Sequence, residues 1–360
     1  MAESLGHFFS SLTLLMTTRI ETEALVIGAG PVGLFQVFQL GLQGIACQVV
    51  DALPHAGGQC LELYADKPIY DIPGIPVCTG RELVARLQQQ IEPFQPSFHL
   101  SQQVTRIERQ ADGRLQVETT TGNSFLASTV FIAAGVGAFV PRHLVLDGLD
   151  AFNGTQVFAE EMQPSRWAGQ HLVVAGDGDA ALQTCLQAGE GAEVAASVTL
   201  LHRRDQFSAQ PELVAQMRQA CTAGRMRFVA GQPTGLRSEA GRLQALELLN
   251  PQGDSEWLPL DVLQTCLGLS PKLGPVAQWG LAMERKQLVV NTENFGTSEP
   301  GIFAVGDINT YPGKKKLILC GFHEATLAAF GALALLRPAE KTLLQYTTTS
   351  TLLHKRLGIA

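Results

Sequence analysis

The chain has 360 residues, of which 46% are hydrophobic and 16% charged, and its formal net charge is −7. The length allows two domains, the composition excludes an intrinsically disordered chain, and the negative charge argues against nucleic acid as a partner. The seven cysteines are odd in number and form no C-x-x-C pair. This usage indicates free thiols in a reducing compartment, the cytoplasm, and argues against a zinc ribbon or a disulfide framework.

The first 20 residues differ from the rest of the chain. Residues 5–16 are partly apolar, but neither a basic n-region nor a clear cleavage site is present, so a signal peptide is not expected. We interpret residues 1–20 as an N-terminal extension without ordered structure. Met16 stands shortly before the first predicted strand and is an alternative start, which mass spectrometry of the native protein would test.

A glycine turn follows the first apolar run, residues 24–27, and leads into an apolar helical pattern over residues 34–42. In its G-x-G-x-x-G pattern, the first glycine permits the sharp turn, the second lets the backbone approach a pyrophosphate, and the third lets the helix pack against the strand. The helix N-terminus offers unpaired N–H groups to phosphates. The residues of this turn that we expect to bind a dinucleotide are Gly28, Gly30, Pro31 and Gly33.

The next predicted strand, residues 47–50, leads to Asp51, 18 residues after Gly33. An acid at this point fits a ribose hydroxyl. An ordinary glycine-rich strand–helix turn is the alternative interpretation. The elements that follow are an amphipathic helix over residues 80–92, β segments at 103–109, 115–119 and 124–126, and a strand at 128–134.

A second unit repeats this order of elements. Residues 171–181 again form strand, turn and helix, here with G-x-G-x-x-A at Gly176, Gly178 and Ala181. A strand at 197–201 follows. Further elements are predicted as a helix at 210–223, a β meander from 227 to 249 and a strand at 262–267. Repetition at this scale predicts two homologous βαβ domains.

The two turns differ in the residues that follow their second strands. The first unit has Asp51, whereas the second has Arg203 and Arg204. A guanidinium pair accommodates a 2′-phosphate, which an acid would repel, so the second unit suits NADP and the first a dinucleotide without that phosphate. A solvated arginine pair is the alternative. Two dinucleotides on one chain imply hydride transfer, and FAD is the natural first occupant because a flavin converts two-electron chemistry into single-electron steps.

The chain returns to the first domain after Pro271. A strand ends in Gly306-Asp307 and precedes a long apolar helix over residues 317–336, whose N-terminus would favour negative charge on a reduced flavin. A plain N-cap is the alternative role of Asp307. No apolar run has the length of a membrane span, since this helix carries Glu324, and we expect no membrane association.

The predicted fold class is α/β, with two homologous Rossmann-like FAD/NAD(P)-binding domains, each a parallel sheet with a β-meander, the first domain being discontinuous. The FAD-binding domain is predicted at residues 21–144 and 272–340, and the NADPH-binding domain at residues 145–271. Residues 341–360 are interpreted as a C-terminal extension near the flavin.

Six motifs together resemble those of the thioredoxin-reductase-like ferredoxin (flavodoxin)–NADP reductases, and the resemblance extends over about residues 23–358. The motifs are Val-Ile-Gly-Ala-Gly-Pro-Val-Gly-Leu-Phe (26–35), Gly-Gly-Gln (57–59), Gly-Asp-Gly-Asp-Ala-Ala (176–181), His-Arg-Arg-Asp-Gln-Phe (202–207), Gly-Ile-Phe-Ala-Val-Gly-Asp-Ile (301–308) and Tyr-Thr-Thr-Thr-Ser-Thr (346–351).

The resemblance implies which residues contact FAD: Asp51, Gln59, Tyr64, Val104, Phe139, Asp307 and Thr348. It implies that Tyr64 stacks on one flavin face and that Tyr346, from the partner subunit of a homodimer, stacks on the other. Asp177 departs from the family pattern, because a glycine is usual there, and it brings negative charge near the pyrophosphate.

The resemblance implies an FAD-dependent oxidoreductase that transfers electrons between NADPH and ferredoxin or flavodoxin. Hydride would pass to flavin N5 by proximity and orientation, without a catalytic acid or base, and electrons would leave singly. Residues 145–185 hold no C-x-x-C, so there is no dithiol route to a disulfide substrate. The alternatives are an NADPH:quinone or diaphorase reductase and a non-enzymatic NADPH-sensing protein.

A lysine run at 314–316 is predicted as a docking site for an acidic electron acceptor, because it lies between the Gly-Asp strand and the last long helix. Lys355 and Arg356 are expected to add to it. A solvated lysine run is the alternative.

Overall fold

The computed structural model describes residues 19–159, 162–190, 193–340 and 344–359. Met16 and nearly all of the predicted N-terminal extension lie outside these residues. The described residues form two compact units. The first contains the chain up to Ala138 and from Lys272 onward, and the second is Phe139–Pro271.

The helices are α1 (Pro31–Gln43), α2 (Gln59–Glu62), α3 (Gly80–Ile91), α4 (Asp179–Ala188), α5 (Pro211–Thr222), α6 (Ile318–Leu336) and α7 (Thr351–Arg356). The strands of the chain up to Pro141 are β1 (Arg19–Ile27), β2 (Cys47–Val50), β3 (Pro68–Ile69), β4 (Cys78–Thr79), β5 (Ser97–His99), β6 (Val104–Arg109), β7 (Leu115–Thr119), β8 (Ser124–Ile132) and β9 (Ala138–Pro141). Those that follow are β10 (Val157–Phe158), β11 (His171–Gly176), β12 (Ser197–His202), β13 (Arg227–Ala230), β14 (Gln232–Glu239), β15 (Arg242–Leu249), β16 (Ser255–Pro259), β17 (Val262–Cys266), β18 (Leu269–Lys272), β19 (Met283–Glu284), β20 (Gln287–Val289), β21 (Ile302–Ala304) and β22 (Asn309–Thr310).

The main sheet of the first unit has the order β5-β2-β1-β8-β7-β6, with β21 also paired to β8. Strands β5, β2, β1, β8 and β21 are parallel. In register, Ile27 lies beside Val50 and Ile132, and Ala304 lies beside Ile132. The carboxyl ends of four strands are therefore level, and the loops that follow them share one edge of the sheet. Ligands of open α/β sheets bind at such an edge.

The two β segments predicted at 124–126 and 128–134 are a single strand, β8. Its first half pairs antiparallel with β7, and its whole length pairs parallel with β1. The sequence hides this continuity because Ser128, the only residue of β8 that is not buried, interrupts the apolar run. Packing on both faces overrides this break.

Helices α1 and α6 lie side by side in the first unit and run in the same direction. Near their starts, a Cβ placed on Gly321 would lie 2.3 Å from the side chain of Val32. Near their ends, Arg337 donates a hydrogen bond to the carbonyl oxygen of Gly44, 3.2 Å away. The N-termini of both helices therefore face the same end of the unit.

The expectation that no apolar run is long enough for a membrane span is wrong for α6. This 19-residue helix is long and apolar enough to cross a membrane on length and composition alone. Here it packs along α1, and its central Glu324 is fully buried in a polar network described below. We interpret α6 as a core helix of the first unit.

The second unit has a five-stranded parallel sheet, with the order β10-β17-β11-β12-β13, and a three-stranded antiparallel sheet, β14-β15-β16. Residues 227–230, predicted as the start of the meander, instead form β13 at the edge of the parallel sheet, where Arg227 pairs with Thr199. The predicted segment is short and alternating, so only its neighbour could decide which sheet it joins.

Candidate functional sites at the two glycine turns

The first glycine turn is built by close contacts that leave no room for side chains. Gly28 has φ +108°, and a Cβ there would lie 2.4 Å from the carbonyl oxygen of Ala133. A Cβ on Gly33 would lie 1.9 Å from the carbonyl oxygen of Gly28. Both positions therefore require glycine, as the sequence predicted.

Helix α1 begins at this turn with Gly30 as N-cap and Pro31 in its first turn, and no side chain caps it. Helix α6 likewise begins without a side-chain cap, at Leu317. Uncapped N-termini of two parallel helices at one edge of the sheet provide positive potential and backbone donors, which suit a pyrophosphate and an electron-rich ring.

The Asp51 carboxylate is held against the glycine turn by hydrogen bonds from backbone N–H groups. Its Oδ2 accepts a hydrogen bond from the N–H of Ala29, 2.5 Å away, and its Oδ1 accepts one from Leu53, 2.8 Å away. Burial raises the pKa of Asp51, and these hydrogen bonds act in the opposite direction. The N–H of Gln102 donates to the carbonyl oxygen of Asp51, and Val104 follows two residues later, buried in β6.

The Gly57–Gln59 segment lies directly on the glycine turn. The N–H of Gly57 donates to the carbonyl oxygen of Ala29, and a Cβ on Gly58 would lie 3.0 Å from the Cα of Gly30. A Cβ on Gly135 would lie 3.0 Å from the Gln59 Nε2 atom. The structure thus brings Gln59 to the same edge as Asp51 and the first turn.

Tyr64 is half-buried and packs against the core of the first unit. The buried thiol of Cys60 donates a hydrogen bond to the Tyr64 hydroxyl, 3.5 Å away. Burial is the main cause that raises the pKa of Tyr64, and this hydrogen bond is the next. The negative charge of Asp307 raises the pKa of Tyr64 further. Tyr64 and Asp307, widely separated in sequence, therefore lie within electrostatic range of each other.

The Asp307 loop rests on a buried polar network centred on Glu324. The Glu324 carboxylate is fully buried and accepts hydrogen bonds from the N–H of Gly306, the side-chain amide of Asn309 and the hydroxyl of Tyr311, at 2.7, 2.8 and 2.9 Å. Lys314 completes the network with an ion pair to Glu324 and a 2.9 Å hydrogen bond to the Gly306 carbonyl oxygen.

This network corrects the prediction of a three-lysine docking site. The Lys314 side chain is 6% exposed and neutralises Glu324, whereas Lys315 and Lys316 are exposed. In the sequence, the three lysines look like one exposed group. Lys314 is nevertheless buried, because the buried carboxylate of Glu324 in helix α6 requires a positively charged partner.

Lys355 and Arg356 do not extend the lysine run. Arg356 donates a hydrogen bond to the carbonyl oxygen of Leu42, at the C-terminal end of α1. Lys315 and Lys316 precede the N-terminus of α6, which runs parallel to α1 and is about 28 Å long. The two basic groups therefore lie at opposite ends of the helix pair.

The C-terminal extension ends in α7, capped by Ser350. Before it, the chain turns through hydrogen bonds from Thr349 and Ser350 to the carbonyl oxygen of Tyr346. Tyr346 is 65% exposed, and Thr348 is exposed. This segment is anchored near the C-terminal end of α1, away from the glycine turn of the same chain. The backbone of Phe139 belongs to β9, and its side chain lies outside the described atoms.

The second glycine turn reproduces the first with one relaxed contact. A Cβ on Gly176 would lie 2.4 Å from the carbonyl oxygen of Cys266, but 3.0 Å from the methyl group of Ala181. Gly178 is the N-cap of α4 and again no side chain caps the helix. A cavity of about 660 Å³ opens beside this turn, lined by the first turns of α4 and the end of β17.

Arg203 and Arg204 follow β12 and are both exposed. Burial lowers the pKa of the adjacent His202, an effect that Asp177 opposes and that the two arginines reinforce. Asp177, the departure noted in the sequence, lines the cavity, and its carbonyl oxygen accepts hydrogen bonds from Ser208 and Ala209. The second site therefore combines an exposed pair of cations with acids on its rim.

Sequence reasoning missed the roles of Glu324 and Lys314 beneath the first site. A carboxylate in the middle of an apolar helix was the available signal, because such a group needs a buried partner. Among the described residues, no group of three histidine, cysteine, aspartate or glutamate side chains is placed to hold a metal ion.

The comparisons with known proteins agree with this geometry. The family model for pyridine nucleotide-disulphide oxidoreductases matches residues 22–326. The ferredoxin–NADP reductase of Albidiferax ferrireducens is 57% identical over 94% of this chain and 96% of its own length, and that of Paracidovorax citrulli is 59% identical over 95% and 97%. The chain belongs to the pyridine nucleotide-disulphide oxidoreductase family, and within it to the family of these reductases.

The membership confirms the resemblance drawn from the six motifs. Solved structures support the fold. The bacillithiol disulfide reductase of Staphylococcus aureus has a TM-score of 0.58 at 15% identity, and the Lactococcus lactis thioredoxin reductase has 0.54 at 22%. Each comparison covers 88% of this chain and 99% of the other. At these identities the likeness concerns the fold, and it confirms the predicted α/β class with two dinucleotide-binding domains.

Proposed function

We propose that the protein is an FAD-dependent oxidoreductase that transfers electrons between NADPH and ferredoxin or flavodoxin. The observation that carries this proposal is the pair of glycine turns in one chain, one followed by a held acid and the other by two exposed arginines. Both turns fit a dinucleotide, because their first glycines leave no space for a Cβ and their helices begin without a side-chain cap. The ferredoxin–NADP reductase relatives support this choice of partners.

The first unit is proposed to hold FAD. The turn from Gly28 to Gly33 would bind the pyrophosphate, Asp51 a ribose, and Gln59 and Asp307 the flavin end, with Val104 lining the adenine side. Tyr64 would stack against the ring. Bound FAD supplies the conversion between two-electron and single-electron transfer. The protein residues position it and exclude water; they need no acid or base of their own.

Spectroscopy would test the role of Tyr64. Replacing Tyr64 with alanine should shift the flavin absorbance or loosen FAD, because an aromatic face against the ring is lost. Cys60→Ala removes the hydrogen bond to the hydroxyl together with a buried sulfur atom but leaves the Tyr64 ring in place, and it serves as the control. An unchanged spectrum with full FAD retention through dialysis would count against stacking by Tyr64.

The second unit is proposed to bind NADPH through Gly176, Gly178, Ala181, Arg203 and Arg204. Replacing both arginines with alanine should raise the KM for NADPH and leave that for NADH almost unchanged. Loss of charge-assisted phosphate contacts costs about 1.5–3 kcal/mol. Equal losses with both nucleotides would refute this assignment.

Ferredoxin-dependent reduction of cytochrome c would test the overall function. The purified protein should be yellow with stoichiometric FAD and should require added ferredoxin or flavodoxin for the reaction. Full activity with a quinone and none with ferredoxin would favour the diaphorase alternative. A protein without flavin would favour the sensor. The sequence contains no C-x-x-C and therefore lacks the dithiol that would reduce a thioredoxin or another disulfide substrate.

We infer that the reductase works as a homodimer in the cytoplasm. The FAD domain predicted at residues 21–144 and 272–340 is proposed to be the first compact unit, and the NADPH domain predicted at residues 145–271 the second, which begins earlier than predicted, at Phe139. The position of the C-terminal extension supports the dimer. Because α7 is anchored far from the glycine turn of its own chain, the exposed Tyr346 and Thr348 are better placed to reach the flavin of a partner subunit. Sedimentation analysis would test the dimer, and a Tyr346→Ala change that leaves the flavin spectrum unaltered would refute the contact.

A further inference from the structure

Asp205 is an acid directly beside the two arginines of the proposed NADPH site. It follows directly after Arg204, and its side chain is 56% exposed. A carboxylate at this point would repel a 2′-phosphate that the neighbouring arginines attract. The site therefore needs a reason to tolerate Asp205, and the motif itself offers none.

Arg218 supplies that reason from helix α5. Its guanidinium forms an ion pair with the Asp205 carboxylate. The same guanidinium lies over two aromatic rings, 5.3 Å from the centroid of Phe207 and 5.6 Å from that of Phe228. These rings are themselves in edge contact at 5.3 Å, so the planar cation rests on a preformed aromatic support.

The charge balance of the rim depends on this pair. Asp179 also lies at the start of α4, but its carboxylate is occupied by the backbone and side-chain N–H groups of Gln210, at 2.7 and 3.3 Å. Asp177 lies next to His202 and lines the cavity. An unpaired Asp205 would add one negative charge directly beside Arg203 and Arg204, and the ion pair with Arg218 removes that charge.

We propose that Arg218 is a specificity-determining residue of the NADPH site. It cancels the repulsion of Asp205 and leaves Arg203 and Arg204 free for the 2′-phosphate. This inference rests on the proposed NADPH function. Arg218 acts through Asp205 and needs no contact with the nucleotide, which distinguishes it from a third phosphate ligand.

Binding of two nucleotide fragments to the purified FAD-loaded protein tests the inference without turnover. The probe 2′,5′-ADP carries the 2′-phosphate, and 5′-AMP lacks it. Calorimetry should show that Arg218→Gln weakens 2′,5′-ADP roughly tenfold and 5′-AMP less than twofold, as expected for one uncompensated charge near the surface. Arg225→Gln, which breaks another exposed ion pair of the second unit, with Glu190, should change neither.

Adding Asp205→Asn to Arg218→Gln should restore 2′,5′-ADP binding to within about twofold of the unaltered protein, because the acid that Arg218 neutralises is gone. A double variant as weak as Arg218→Gln would overturn the inference and indicate a direct or structural role of Arg218. So would equal weakening of both probes. Asp205→Asn alone leaves the aromatic support intact and covers the case that Arg218→Gln does not fold; it should tighten 2′,5′-ADP selectively, and weaker binding would overturn the inference.

The same measurements separate this inference from the proposed function. If Arg203→Ala with Arg204→Ala abolishes the preference for 2′,5′-ADP while Arg218→Gln leaves it intact, the NADPH site stands and the role of Arg218 falls. If the unaltered protein binds both probes equally, the NADPH assignment falls and the inference with it.

Discussion

The two glycine turns share one contact and differ in the next. In both, a Cβ on the first glycine would lie 2.4 Å from a carbonyl oxygen at the carboxyl end of the neighbouring parallel strand, that of Ala133 directly after β8 or that of Cys266 in β17. The third position differs, since a Cβ on Gly33 would meet the Gly28 carbonyl oxygen at 1.9 Å, whereas Ala181 already carries its methyl group. The adjacent strand therefore fixes the first glycine, and the approach of the helix decides the third.

The two sites also differ in how far their ion pairs are buried. The first site rests on a buried pair, Lys314 with Glu324, while the second has exposed pairs such as Arg218 with Asp205. A loop held by a buried ion pair and buried hydrogen bonds suits a cofactor that stays bound, and an exposed cationic rim suits a substrate that exchanges. The difference indicates that stability is concentrated in the first site and nucleotide selectivity in the second.

Breaking an ion pair in each unit should give the largest contrast. Lys314→Met leaves Glu324 buried and uncompensated, which should destabilise the protein by about 3–5 kcal/mol and loosen FAD. The matched change Arg225→Met, at an exposed pair, should cost less than about 1 kcal/mol. Urea unfolding followed by tryptophan and flavin fluorescence measures both. Equal losses would remove the distinction between the units.

The third positions of the two turns, Gly33 and Ala181, can be exchanged for each other's residue to test how closely each helix approaches its turn. Gly33→Ala should destabilise the first unit by about 1–3 kcal/mol and lower the FAD content, because the added Cβ would overlap the Gly28 carbonyl oxygen. Ala181→Gly should cost about 1–2 kcal/mol through helix propensity and a lost buried methyl group. FAD content per chain and the midpoint of unfolding report the result. A fully loaded, stable Gly33→Ala variant would show that the helix can move.

The two exposed lysines before α6 should affect the protein partner and leave stability unchanged. Lys315→Gln combined with Lys316→Gln should slow ferredoxin reduction about threefold at low salt and flatten its dependence on ionic strength, since electrostatic steering is screened by salt. Activity with ferricyanide should persist. Lys355→Gln, at the opposite end of the helix pair, is the matched control. An unaltered rate with ferredoxin would place the docking surface elsewhere.

Acid sensitivity should give the smallest effect. Burial lowers the pKa of both His99 in the first unit and His202 in the second. The folded pKa of each histidine lies below the unfolded value of about 6.5, so folding favours the neutral form. This contribution to stability is fully present above pH 6.5 and is lost as the pH falls from 6.5 through the folded pKa. His99→Gln should therefore flatten the change in unfolding midpoint between pH 7.5 and 5, measured by thermal unfolding at both pH values; an unchanged pH dependence would contradict this role of His99.

The sequence alone determined the repeated strand–turn–helix order, the position of each glycine in the two turns and the contrast between Asp51 and the two arginines. These features are visible in short windows of sequence, because the glycine spacing and the residue at a strand end follow each other directly along the chain. The bounds of α3 and β2 were likewise readable from their hydrophobic periodicity.

Tertiary structure decided what depends on distant partners. Only the packing of α6 against the Asp307 loop shows that Lys314 is buried, since its partner Glu324 lies ten residues away on another element. Only the sheet shows that residues 124–132 are one strand, and only α5 brings Arg218 to Asp205. Charge neutralisation and strand pairing act through space, so the order of residues along the chain does not show which groups become partners.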